Sequence, residues 1–332
     1  MKVLFIKLKN AIIPISIYTF TIFLILFSSD NLMAAKNGLL LWAFSVVPSL
    51  LPFFIATELL SYTNIISILG KFLNKLMRPI FNVPGEGSFA LVMGIISGYP
   101  IGAKIVSNFK ENGVCTKEEC ERLLAFTNNS GPLFIVGTIG ISLFSSYSIG
   151  IKLLISHTLS ALLVGFSFRF WRTSKSSSAN RLINSSSNSS ISFYNIGEIL
   201  SLSIQNAIHS IFIIGGFVVL FSVIVSMLNS CRAINIINTI FSPLFKILHI
   251  PNMYHLGIIT GIIEVTNGVK LVAIDSSSIS IILCSFLLGF GGVSVLLQVL
   301  SIVSKSHLSI KPYIIGKFMQ ACFSAIIMYF IL

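Results

Sequence analysis

Segments 11–27, 37–62, 199–228 and 314–331 are long, strongly apolar, and carry at most one charged residue each. A helix of about 20 such residues is long enough to cross the hydrocarbon core of a bilayer. A water-soluble fold of 332 residues cannot hide this much apolar side chain, because its surface has to be covered with polar groups. Composition agrees: 55% of residues are hydrophobic and 10% charged, where a soluble domain has about 25% charged. A soluble enzyme and a disordered chain are both excluded by this balance. The expected fold class is all-α, a polytopic membrane protein whose solvent and first partner is the lipid bilayer.

The formal charge of +12 comes from 22 Lys and Arg against 10 Asp and Glu. The basic residues flank the apolar runs, where the positive-inside rule and lipid headgroups place them, so no nucleic-acid partner is expected. Cys115, Cys120, Cys231, Cys284 and Cys322 follow no metal-ligand spacing, and no metal or cofactor is expected. Neither a phosphate-binding Gly-rich loop nor a Ser/His/Asp spacing occurs, so the chain does not read as an enzyme. Residues 1–30 read as an N-terminal transmembrane helix, with Lys2, Lys7 and Lys9 keeping its start inside. The same layout resembles a signal peptide with a cleavage site near 32–34, although its apolar stretch is long for one.

An internal repeat organises the rest. A constant offset brings Pro84 onto Pro251 and Gly94 onto Gly261, and sets LVMGIIS (91–97) against IITGIIE (258–264). With a one-residue deletion Gly102 meets Gly268 and Lys104 meets Lys270. Each half, 37–171 and 199–332, then reads as a long apolar helix, an amphipathic piece (63–81; 232–249), an interrupted segment, a broken hairpin and a plain helix. Residues 172–198 form a linker whose core, 173–190, is rich in Ser and Asn; nearby Arg169, Arg172, Lys175 and Arg181 place it on the cytoplasmic side. An odd number of crossings per half, obtained if each broken hairpin is re-entrant, makes the two repeats inverted in topology. That is an architecture of secondary transporters.

Irregular backbone at membrane depth survives only when it is buried in protein or lines a water-filled cavity. Four segments break the helical pattern: SGYPIGAK (97–104), TNNSGP (127–132), EVTNGVK (264–270) and GFGGVS (289–294). They supply the candidate substrate-binding residues Ser97, Gly98, Tyr99, Lys104, Asn128, Asn129, Ser130, Glu264, Thr266, Asn267, Lys270 and Ser294. New helix N-termini at such breaks attract anions, and the two lysines after them suit a carboxylate or phosphate. Glu264 is an intramembrane carboxylate, a functional candidate with Lys104, Lys270 or a coupled cation as partner. A plainer reading of the lysines makes them helix-end anchors that snorkel to water. Glu58 reads as interfacial, and His157 as a satisfied helix histidine rather than a proton relay.

SGYPIGAK, TNNSGPLFIVGTIG (127–140), IIGGFVVLFSVI (213–224) and GIIEVTNG (261–268) closely resemble the YlbJ-type sporulation integral membrane proteins of the nucleoside-recognition Gate-domain group. The resemblance runs from about residue 40 to the C-terminus, omitting the linker. It implies a fold similar to that of concentrative nucleoside carriers. It also implies a role in spore formation, moving dipicolinic acid, a small anionic substrate, across the outer forespore membrane. Tyr99 is placed to stack on the ring of such a ligand. A nucleoside, which needs neutral contacts rather than lysines, and a non-transporting scaffold in spore formation are the alternatives. Oligomeric state is open.

Overall fold

The computed structural model describes residues 2–172 and 195–332, with side chains from residue 11 onward. Among the described residues every regular element is helical. Most of the linker expected at 172–198 lies outside them.

Helix α1 (Lys2–Leu26) ends in one turn residue, Phe27, and α2 (Ser28–Leu41) starts at once. The polar run 28–31 was expected to separate two helices, but it continues one. Nothing there breaks a helix, and two of its polar side chains find partners, one nearby and one in the second half of the chain, while Asn31 Oδ1 stays buried without one. Asn31 Nδ2 donates to Phe23 O at 3.0 Å, and Ser230 Oγ donates to Asp30 at 2.7 Å. A π-helical turn, Trp42–Val46, passes α2 into α3 (Val47–Ser61), so 28–61 forms one apolar helix of spanning length.

The amphipathic piece is α4 (Ile65–Phe81), with Met77 and Phe81 buried and Lys71, Lys75 and Arg78 exposed. Helices α5 (Gly87–Ile96) and α6 (Ile101–Glu111) flank the first interruption. A complete capping box, Thr116 with Glu119, opens α7 (Lys117–Thr127). After the irregular residues 128–132 comes a π-helical segment, Leu133–Leu143, and then α8 (Tyr147–Ser167). The second half contains α9 (Ile196–Ser230), α10 (Ala233–Ile247), α11 (Asn252–Ile263), α12 (Val265–Val272), α13 (Ser278–Phe290), α14 (Gly292–Val303) and α15 (Lys311–Ile331). Among the described residues five stretches are long and apolar enough to cross a membrane: 28–61, 147–170, α9, α13 together with α14, and α15. The pair α10 and α11, bent by 118°, adds a sixth candidate. Helices α13 and α14, expected as a re-entrant hairpin, thus have the length of one span.

Glycine sets how closely the central helices approach. A Cβ at Gly94 would lie 1.8 Å from the Thr127 carbonyl oxygen, and one at Gly102 2.2 Å from the same atom. Helices α5 and α6 therefore straddle the last carbonyl of α7, which only hydrogen side chains permit. At one end of the bundle buried Glu121 accepts from Trp171 Nε1 at 3.0 Å, from Arg172 at 3.3 Å and from the Ser309 N–H at 3.3 Å. This carboxylate joins α7 to the end of α8 and to the approach to α15.

Two apolar cores form, and they exchange parts. The core built mainly from α4 to α7 also takes Val295, Val299 and Val303 of α14. The core built from α10 to α13 takes Ile135 and Ile139 of the π-helical segment and Leu153 of α8. Tyr99 packs against both.

Candidate functional site

The four interruptions meet around one cavity of about 70 Å³. Gly98 and Tyr99 come from the first break, Gly131 from the second, Glu264 and Thr266 from the third, and Ser294 with Gln298 from the fourth and its helix. Ser45 and Ser49 of helix 28–61 and Ile214 and Val218 of α9 close the sides. One water needs about 10–15 Å³ of such volume, so this space holds several. Gln298 is 3% exposed, and its Oε1 has no hydrogen-bond partner.

Each break has its own chemistry. Glu264 is buried with extended backbone between α11 and α12. Its carboxylate accepts the N–H groups of Thr266 at 3.0 Å and Asn267 at 2.7 Å, capping α12. The α12 N-terminus was expected to await an anion; it already holds one, supplied by the chain. At α6 the equivalent place meets a neutral amide, with the Ala103 N–H donating to Asn128 Oδ1 at 3.4 Å. The helix starts that face the cavity are those after Gly131 and Gly291, which border it through Phe134 and Ser294. Half-helix N-termini of this kind favour negative charge. Asn267 is half-buried and joins the site through its backbone alone. Ser97 is buried one residue before the cavity and hydrogen-bonded to Thr57 Oγ1 at 3.1 Å.

The two candidate lysines do not converge there. Lys104 forms an ion pair with Glu58 and donates to Ser210 Oγ at 3.2 Å, facing α3 and α9. Asn206 Nδ2 adds a contact to Glu58 at 3.4 Å. Glu58, read from sequence as interfacial, is thus the partner of Lys104. Lys270 is exposed, because Val265, Gly268, Val269 and Val272 form the buried stripe of α12 and Lys270 projects from its other face. The lysine clamp read from the repeat is corrected on this point.

Asn128, Asn129 and Ser130 are buried on the far side of the second break. Asn128 Nδ2 donates to Tyr313 Oη at 3.1 Å. Asn129 Oδ1 accepts from Gln320 Nε2 at 2.9 Å, and the Ser130 N–H donates to His157 Nε2 at 3.1 Å. Gln320 Oε1 in turn accepts from Lys317 Nζ at 2.8 Å. The sequence reading treated 314–331 as a plain helix and missed Lys317 and Gln320. The available signal was a single lysine inside an apolar run, which is a functional candidate by default. Among the described residues no three His, Cys, Asp or Glu side chains come together as a metal site.

Broken helices gathered around one cavity that holds a few buried polar groups, within a bundle whose outside is apolar, define an integral membrane protein with irregular backbone at its centre. A family model, Gate, described as nucleoside recognition, matches residues 43–193. The chain is 33% identical over 313 residues to sporulation integral membrane protein YlbJ of Bacillus subtilis (strain 168), covering 88% of this chain and 75% of that protein. The chain belongs to the YlbJ family. No solved structure matches it.

Proposed function

We propose that the protein is a membrane transporter for a small organic anion, and that the cavity at the four breaks is its substrate site. One observation carries this reading: every break in the helical pattern, from both halves of the chain, opens onto the same largely apolar cavity, into which Tyr99, Glu264, Thr266, Ser294 and Gln298 bring polar groups. A scaffold has no need to bring a buried carboxylate, Glu264, and the unpartnered Gln298 Oε1 to one cavity inside hydrocarbon, where unpaired polar groups are costly. The kinship with YlbJ, a sporulation integral membrane protein by its name, supports a role in sporulation. Dipicolinic acid as the substrate and the outer forespore membrane as the location are our proposal within that role.

The architecture we infer is a pair of inverted repeats similar to concentrative nucleoside carriers. The packing of equivalent elements supports it. Helix α6 packs on α14, and its counterpart α12 packs on the π-helical segment 133–143, the counterpart of α14. A Cβ at Gly94 would come within 3.3 Å of Gly102 Cα, and one at Gly268 within 2.0 Å of Gly261 Cα, so each aligned glycine pair forms its own crossing. In this scheme Glu264 takes the role of coupling group, since its carboxylate would repel an anionic substrate unless a proton or cation accompanied it.

A neutral nucleoside is the second reading. The cavity lining of Ser, Thr, Gln and Tyr with no lysine favours it, as does the description of the matching family model. Proteoliposome uptake separates the two. Pyridine-2,6-dicarboxylate should accumulate and unlabelled uridine should not compete; uptake of uridine alone would replace the anion reading with the nucleoside one.

A further inference from the structure

We infer that Lys317, with Gln320 and His157, forms the positive pole that receives a substrate carboxylate, the part that Lys104 and Lys270 do not play. The inference rests on the organic-anion reading and names the residues that read the charge.

The cluster has more donors than acceptors. Lys317 is 2% exposed, and none of the ion pairs among the described residues includes it. An ammonium has three N–H donors. One is used on Gln320 Oε1, and the Tyr313 ring centroid lies 5.9 Å from Nζ. His157, 1% exposed, accepts the Ser130 N–H at Nε2, so this neutral ring carries its proton on Nδ1. That Nδ1 is buried without a partner. Ser130 Oγ is also buried without a partner, while three other acceptors of the cluster are engaged. Gln320 Oε1 holds Lys317, Asn129 Oδ1 holds the Gln320 amide, and the His157 carbonyl accepts from the same amide at 3.3 Å.

A buried ammonium without a counter-charge is so costly that the amine tends to give up its proton, and a carboxylate brought beside it restores the charged form. A carboxylate is acceptor-only, with two oxygens able to take several donors, and it answers both the charge and the unused N–H groups. A neutral amide or hydroxyl ligand offers an acceptor oxygen to the N–H groups but does not answer the charge. The cluster lies one layer behind the cavity wall, and Lys317, Gln320 and His157 do not line the cavity. Asn129 and Ser130 belong to the cluster and the next residue, Gly131, is part of the wall, so that a carboxylate reaches Lys317 only when the second break shifts. Only the irregular strip 128–132 lies between, and it packs on the first break, where a Cβ at Gly98 would be 2.9 Å from Gly131 N.

The test compares pyridine-2,6-dicarboxylate with its neutral diamide, pyridine-2,6-dicarboxamide, by calorimetry on the full chain in detergent. Wild type should prefer the dicarboxylate. Lys317→Met and Lys317→Gln should weaken dicarboxylate binding at least about tenfold, the scale of a hydrogen bond to a charged group. Both should weaken diamide binding much less, because the diamide loses one neutral hydrogen bond and no charge pairing. Their melting temperature without ligand should equal or exceed that of wild type, because a buried lone charge has been removed. Dicarboxylate binding within twofold of wild type in either folded variant overturns the inference. So does equal wild-type affinity for the two ligands, which means that charge is not read. If wild type binds the diamide alone or neither compound, the organic-anion reading itself fails, a result distinct from failure of the variants.

Discussion

The side-chain amide of Asn128 donates to the hydroxyl of Tyr313 at 3.1 Å, joining a broken segment of the first half to the last helix of the second. Both residues are essentially inaccessible, at 0% and 1% exposure, so the bond forms without competing water. Its partner strand of contacts, from Asn129 to Gln320 to Lys317, runs beside it. The second break is thus held from behind by α15, while its front lines the cavity.

Tyr313→Phe should leave the Asn128 amide unsatisfied and lower stability by about 1–3 kcal/mol. Thermal unfolding in detergent measures it. The pair Asn128→Leu, Asn129→Leu should in addition abolish substrate uptake in proteoliposomes at unchanged membrane abundance. Full uptake by the pair would move the site elsewhere.

Glu264 holds the first turn of α12 through two backbone N–H groups. Glu264→Gln retains an acceptor oxygen for one of them and should fold. Glu264→Ala removes the cap and should cost about 0.5–2 kcal/mol. If the carboxylate carries the coupled proton or cation, uptake by Glu264→Gln should lose its dependence on the imposed ion gradient while substrate affinity changes little. Unaltered gradient dependence would remove Glu264 from coupling.

Lys104 and Glu58 are mutual partners rather than ligand groups. Lys104→Gln and Glu58→Gln should have similar, modest effects on melting temperature, and Lys270→Gln almost none. In all three the affinity for the organic anion should stay within about twofold. A large affinity loss in Lys104→Gln alone would restore that lysine to the site.

Gly94→Ala and Gly102→Ala each drive a methyl group into the Thr127 carbonyl. Overpacking of this kind costs about 1–3 kcal/mol or more, so both variants should fall in abundance and melting temperature. Gly216→Ala, with nothing within 4 Å of the added carbon, is the control and should match wild type.

Membrane topology gives a further check. With inverted repeats, a cysteine placed in 173–190 should be labelled from the cytoplasmic side and a tag after Leu332 from the opposite one. Labelling of both from one side would exclude the inverted arrangement.

The breaks were legible in sequence because Gly, Pro and consecutive Asn residues cannot continue a helix through lipid. Segments 97–104, 127–132, 264–270 and 289–294 stand at or beside the cavity for that reason. Partners were not legible. Nothing local to Lys104 points to Glu58, 46 positions earlier, and nothing in the repeat alignment indicates that Lys270 leaves the buried stripe of its short helix. Lys317 escaped because the surrounding helix is apolar throughout and gives no break to draw attention to it. The start of the first long helix was missed for a different reason: its polar residues 28–31 find partners in Phe23 O and Ser230, which lie four or more residues away or in the other half.

The exchange of α14 and the π-helical segment between the two cores has a consequence for biogenesis. The first core lacks Val295, Val299 and Val303 until nearly the whole chain has left the ribosome. Residues 37–171 inserted alone would expose that apolar seam to lipid and to chaperones, and the second half alone would lack Ile135 and Ile139. Neither half is a self-sufficient folding unit. Two separately encoded halves should survive degradation only when made together, and the order of synthesis leaves the first half waiting for the second.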